Sequence, residues 1–186
     1  MARQGKVPRG FALGLASSIL RAMTVELPIT LSDSVRKEWV DPNGHFNMGY
    51  YAVAYDLATD GLFELLGCAY VDIERTGGSV FLLELHVNYL REMHEGDPFR
   101  ITSRLLDHDA KRIHVFGYMH HATEGFLSST AEMMLIHVDM KTRKAAPFPD
   151  DTLERIRKMK AEHDALPWPP AAGRSIGLKQ RKAASP

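Results

Sequence analysis

The 186-residue chain holds one cysteine, Cys68, so no disulfide can form within it and no cysteine cluster can hold a structural zinc. It also lacks a surplus of either charge, since Lys plus Arg and Asp plus Glu both number 23. Without a global positive field, neither a nucleic-acid partner nor an anionic membrane surface is expected. There is no GxxxxGK[S/T] loop to cradle phosphates, and no internal repeat. The apolar stretch Phe11 to Leu20 follows basic residues between Ala2 and Lys6 and superficially resembles a signal peptide. It is about half the ~20 residues a membrane-spanning helix needs, and no small-residue cleavage site precedes a cysteine-paired domain. Residues 1–22 are therefore expected to be a disordered or misassigned extension, with Met23 as the natural start and the cytoplasm as the compartment.

What is present is enough apolar material, 45%, for one compact domain. Residues 33–40 suggest a short strand. Gly49 to Leu66 carries Tyr51, Tyr55, Ala58, Leu62 and Leu65 at helical spacing, closed by Gly67. After Gly77-Gly78, Phe81, Leu83, Leu85, Val87 and Tyr89 alternate with Glu84, His86 and Asn88, the signature of a half-buried strand. Turn residues at 95–98, 109–111 and 124–125 separate further strands near 99–107, 112–120 and 126–139. Three short connections imply antiparallel neighbours, so one early helix followed by a meander gives an α+β class. A last helix from Asp151 to about His163, capped by Asp150 or Asp151, is expected to pack outside and end before Pro167. The expected organisation is an extension at 1–22, a domain at 23–166 and a C-terminal tail at 167–186, whose final basic run, 179–182, reads as solvated.

The densest chemistry lies in Trp39-Val-Asp-Pro-Asn-Gly-His-Phe-Asn-Met-Gly-Tyr-Tyr51. A carboxylate, an imidazole and an amide sit where a strand-like segment enters a helix. Helix starts present unpaired N–H groups and a positive dipole end, which together can polarise a carbonyl. Asp41 either caps its own turn, as Asp-Pro-Asn-Gly composition allows, or serves as nucleophile or general base.

This Asp-x-x-Gly-His-x-Asn junction resembles that of hotdog-fold acyl-CoA thioesterases of the 4-hydroxybenzoyl-CoA thioesterase type. The segments 111–116, 130–139, Ala165-Leu166-Pro167 and Ala172-Gly173-Arg174 resemble the betainyl-CoA thioesterase branch, which acts in carnitine breakdown and is sometimes fused to carnitine dehydrogenase. The likeness spans Ser32 to Leu178. It implies an antiparallel sheet wrapped around one central helix and hydrolysis of a small acyl-CoA, betainyl-CoA foremost. Another short or aromatic acyl-CoA, or a non-catalytic acyl-CoA-binding module, is the alternative. A hydratase of the same fold would carry Asp-x4-His, whereas three residues separate Asp41 from His45.

On that resemblance Asp41 acts on the thioester while a helix-start N–H at Met48 or Gly49 meets its oxygen. His45 positions groups or handles a proton, and Asn47 orients the loop or caps the helix. Aromatic residues crowd the junction: Trp39, Phe46, Tyr50, Tyr51, Tyr55 and, on the strand, Phe81 and Tyr89. A quaternary ammonium binds aromatic faces by cation–π attraction, so these residues are candidates for a cage, Trp39, Tyr50 and Phe81 foremost, backed by Asp56 or Asp60. Ordinary core packing is the competing reading. Glu84 and His86 share a strand face and offer either a second polar shell or a solvated surface. Arg91, Lys111 and Arg112 are candidates for the phosphates of coenzyme A. His108, His114, His120, His121 and His137 lack the close paired spacing with a carboxylate that marks a metal site, so no metal is expected, and the resemblance to thioesterases implies no separate cofactor. Unpaired sheet edges point to a homodimer or homotetramer.

Overall fold

The computed structural model describes residues 25–178; the expectations for residues 1–22 and for Met23, and those for residues 179–186 of the tail, lie outside them. Six strands form one antiparallel sheet: β1 (Ile29–Ser34), β2 (Gly78–Tyr89), β3 (Pro98–His108), β4 (Arg112–His121), β5 (Leu127–Asp139) and β6 (Lys144–Ala145). Their spatial order is β1-β3-β4-β5-β2, with β6 added to β5. Only part of the expected meander survives. β2 and β3 follow one another in sequence but do not pair, because β2 crosses to lie beside β5. The first strand is also displaced: β1 ends at Ser34, and Lys37–Trp39 forms a 3₁₀ turn where a strand was expected.

The sheet wraps the central helix, Met48–Leu66. Tyr51, Ala54, Tyr55, Ala58, Leu62 and Leu66 are buried along it, three or four residues apart. Leu65, expected in the core, is exposed, and Leu66 takes its place one turn beyond Leu62. Gly67 closes the helix at φ 73°, a left-handed conformation that glycine adopts without steric cost. Gly61 lets helix and sheet approach closely. A Cβ there would stand 2.2 Å from the carbonyl oxygen of Thr30.

A bulge between Leu82 and Glu84 interrupts the alternation along β2, because two residues of the bulged strand oppose one on its neighbour. Val80, Leu85 and Val87 join the core, whereas Phe81 has moved to the opposite face from Leu85 and Val87.

The C-terminal helix, Asp150–His163, packs through Thr152, Leu153, Ile156 and His163. Its N-cap is Pro149, without a side-chain cap. Asp150 and Asp151 instead lie in the first turn, where carboxylates favour the helix dipole. After the helix the chain becomes a strap across the outer face of the sheet. Arg104 on β3, only 5% exposed, donates to the carbonyls of His163, Leu166 and Pro167 at 3.2, 2.8 and 2.6 Å. Further along, the Gly173 N–H donates to the Glu132 carboxylate on β5 at 2.8 Å, and His114 Nε2 lies 2.8 Å from the same group. The tail is thus tied to the sheet at Pro167 and Gly173, while residues 174–178 are exposed.

Candidate active site

The loop Asp41–His45 is a tight hairpin closed by Asp41 N–H to the His45 carbonyl at 3.0 Å and Gly44 N–H to the Asp41 carbonyl at 2.9 Å. Gly44, at φ 83°, makes the reversal. Val40 and Phe46 bridge across it. Asp41 does cap its own turn, since Oδ1 accepts from Asn43 N–H at 2.8 Å. Oδ2 is less committed, with the Asn43 amide at 3.5 Å. Turn-capping and chemistry are therefore compatible for this carboxylate.

Asp41 opens onto a cleft of about 470 Å³. Its lining runs from His45 through Met48 at the helix start and from Tyr89 through Glu92 at the end of β2, with Tyr51 between. Two ties hold these walls together. Phe46 N–H donates to the Met93 carbonyl at 2.8 Å, and Tyr89 Oη donates to the Met48 carbonyl at 3.0 Å.

Asn47 is the helix N-cap: its side-chain oxygen accepts from Gly49 N–H at 2.9 Å, and its carbonyl accepts from Tyr50 N–H at 3.0 Å. This divides the two expected oxyanion donors. Gly49 N–H is occupied, whereas Met48 N–H, with no earlier helical turn to bond, has no partner among the described residues. Met48 is 71% exposed and lines the cleft at the positive end of the dipole.

The remaining candidates separate. Trp39 is 4% exposed, stacked on Phe46 and Tyr50 at 5.6 and 5.9 Å, and Arg36 already lies over its ring at 4.5 Å. It is a core residue whose face meets the chain's own Arg36, an exposed cation. Phe81 lies eight residues from Tyr89 along β2, about 26 Å at the usual strand rise, and faces Arg143. The expected cage of Trp39, Tyr50 and Phe81 is therefore not assembled within the chain. Asp56 and Asp60 stand about 12 and 18 Å along the helix from Met48. Burial, then the like charges of Asp56 and Glu64, holds the Asp60 carboxyl above the ordinary range. Glu84 and His86 line a different groove, on the outer face with His114, Glu132 and Arg174. The bulge and the strand pleat turn them away from Asp41.

Of the phosphate candidates, Arg91 lines the cleft, with its guanidinium over Phe126 at 3.7 Å and paired to Glu124 at 3.4 Å. Arg112 borders a separate depression with Asp107 and Asp109, and its guanidinium is paired to Asp109 at 2.7 Å; Lys111 precedes it on the same turn, where its N–H donates to Asp109.

Sequence reading missed Glu92. It reaches His45 Nε2 at 3.2 Å and approaches His94 at 3.9 Å. Glu92, His45 and His94 bring atoms of metal-ligating type within 4.8 Å of one another. Only the fold joins residue 45 to residues 92–94, so no short spacing announced the grouping.

The matching family model is described as the thioesterase-like superfamily and covers residues 35–156. A betainyl-CoA thioesterase of Pseudomonas aeruginosa is 36% identical over 149 residues, covering 80% of this chain and 94% of that protein. An L-carnitine dehydrogenase/betainyl-CoA thioesterase of Rhizobium meliloti is 34% identical over 82% of this chain, which spans 31% of that longer protein. Among solved structures, a hypothetical Staphylococcus aureus protein in complex with CoA aligns over 83% of this chain and 98% of its own, with TM-score 0.76 and 26% identity. A putative thioesterase of Pseudomonas putida aligns with TM-score 0.72 and 30% identity, again over 83% of this chain and 98% of its own. With the sheet-wrapped helix and the Asp41 junction in place, the chain belongs to the thioesterase-like superfamily and has the hotdog fold.

Proposed function

We propose that this protein hydrolyses betainyl-CoA to glycine betaine and CoA, with Asp41 as the reacting carboxylate. The observation that carries the reading is the position of Asp41 on a cleft at the start of the central helix, in a chain 36% identical to a betainyl-CoA thioesterase. The thioester oxygen takes the Met48 N–H as its donor, and the helix dipole stabilises charge as the tetrahedral intermediate forms. Asp41 either attacks the carbonyl carbon or withdraws a proton from the attacking water. His45 borders the carboxylate, its N–H 3.5 Å from Asp41 Oδ1, and Asn47 fixes the helix entry. CoA leaves as the thiol, and its phosphates are drawn to Arg91, which lines the cleft. Coenzyme A enters as part of the substrate, and the reaction needs no separate cofactor.

The enzyme is proposed to work as a homodimer or homotetramer in the cytoplasm. Support for assembly comes from β2, which pairs on one side with β5 and ends the sheet, and which exposes Leu82, Leu83 and Tyr89. Light scattering should give a dimer or tetramer at assay concentration; an active monomer would remove that claim. For the activity, thiol release is measured on betainyl-, acetyl-, benzoyl- and long-chain acyl-CoA. Betainyl-CoA is expected to lead, and binding without thiol release from any of them would leave an acyl-CoA-binding module instead.

A further inference from the structure

We infer that Glu92 and Tyr89 form the subsite for the trimethylammonium head of the substrate. This rests on the betainyl-CoA reading above and joins Tyr89, one of the aromatic candidates, to Glu92, which the sequence alone did not connect to it. The geometry of the acyl group is restrictive. Its quaternary nitrogen is two bonds from the thioester carbon, about 2.5 Å by standard C–N and C–C lengths. Whatever recognises the cation must therefore line the same cleft as Asp41. That requirement excludes Asp56 and Asp60, more than two helical turns from Met48, as well as Phe81 and Glu84 on the outer face.

Two residues on the opposite wall remain. Tyr89 is 52% exposed and is held against the helix start by its bond to the Met48 carbonyl. Its ring stands perpendicular to that of Tyr51, with centroids 5.2 Å apart, while Tyr51 itself is buried against Phe46 at 4.0 Å. The ring with room for a guest is thus Tyr89. Three residues further on, Glu92 carries a carboxylate into the cleft, with its side chain 59% exposed. The other charged groups there leave it available to a substrate. Arg91 turns to Phe126 and Glu124, while Glu92 meets His45 through Oε2 alone, its Oε1 lying 3.9 Å from His94. A fixed anion beside an aromatic face is the usual chemistry for a quaternary ammonium, which has no N–H to donate.

The test compares kcat/KM for betainyl-CoA with that for its neutral carbon isostere, 3,3-dimethylbutyryl-CoA, with EDTA present so that no metal ion occupies Glu92. Contact attraction between unit charges in an open, wet cleft corresponds to about fivefold in such a ratio. Glu92→Gln should lower the betainyl-to-neutral ratio by about fivefold, Glu92→Lys should lower it further, and Tyr89→Leu should lower it as well. An equal fold-fall on both substrates, leaving the ratio intact, would mean that Glu92 only positions His45 and would overturn the inference. The unmutated enzyme separates the two claims. If it shows no cationic preference, the substrate reading itself fails; if it prefers betainyl-CoA and Glu92→Gln keeps that preference, only the assignment to Glu92 fails.

Discussion

Replacing Arg104 tests whether the strap is part of the folded domain. Its buried guanidinium donates to three carbonyls at the end of the C-terminal helix and just beyond, groups that have no partner within the helix. Hydrogen bonds to charged groups contribute about 1.5–3 kcal/mol each, but three bonds from one side chain are not additive. Deleting the side chain also removes the cost of burying a charge. A net loss of about 3 kcal/mol is therefore expected for Arg104→Ala. At about 2–4 °C per kcal/mol for a chain of this size, Tm should fall by roughly 6–12 °C. Arg104→Lys should recover part of the loss, because one ammonium cannot span all three carbonyls. Limited proteolysis should then cut beyond His163 more readily. Thiol release at 25 °C should persist, since the strap lies on the outer face and the cleft opens at the start of the central helix. A folded Arg104→Ala protein with Tm within about 2 °C of the parent would refute this account of the strap.

Two further predictions use buried titratable groups. Burial pushes the Cys68 thiol up to about 12, so it should be inert to a thiol reagent at pH 8 in the folded protein and react on denaturation; rapid labelling of folded protein would contradict its burial. Burial, reinforced by Arg104, holds His163 below the ordinary imidazole range, and its neutral Nδ1 accepts from Leu105 N–H at 3.0 Å. Protons therefore bind the unfolded chain first, so the stability due to this group is fully present above about pH 6.5 and declines as pH falls toward the folded-state value. His163→Gln should flatten that part of the urea-midpoint profile, and an unchanged slope between pH 7 and 5 would count against it.

Much of the fold is legible because its determinants are local. The helix ending at Gly67 follows from apolar spacing and one glycine, and the strands from 98 onward follow from turn residues between alternating segments. What was not legible depends on distant pairing. No residue near Glu95 announces that β2 crosses to β5, and nothing in the Leu82–Glu84 run marks the bulge that turns Phe81 outward. The same limit governs the site. Asp41, His45, Asn47 and Met48 sit in one continuous motif and are brought together as expected. Glu92 arrives from another loop, through backbone contact between Phe46 and Met93. Trp39 illustrates the opposite failure: aromatic residues near a site suggested a cage, while burial made this one core.

The central claim is tested most directly by thiol release from betainyl-CoA by the unmutated enzyme and by Asp41→Asn, with circular dichroism confirming that both are folded. The amide keeps the shape of the carboxylate and can still accept from Asn43, but it can neither attack the thioester nor take a proton from water. The account predicts turnover by the parent and a fall in kcat on the order of 10²–10⁴-fold in the variant. A folded Asp41→Asn protein with near-normal kcat would contradict it.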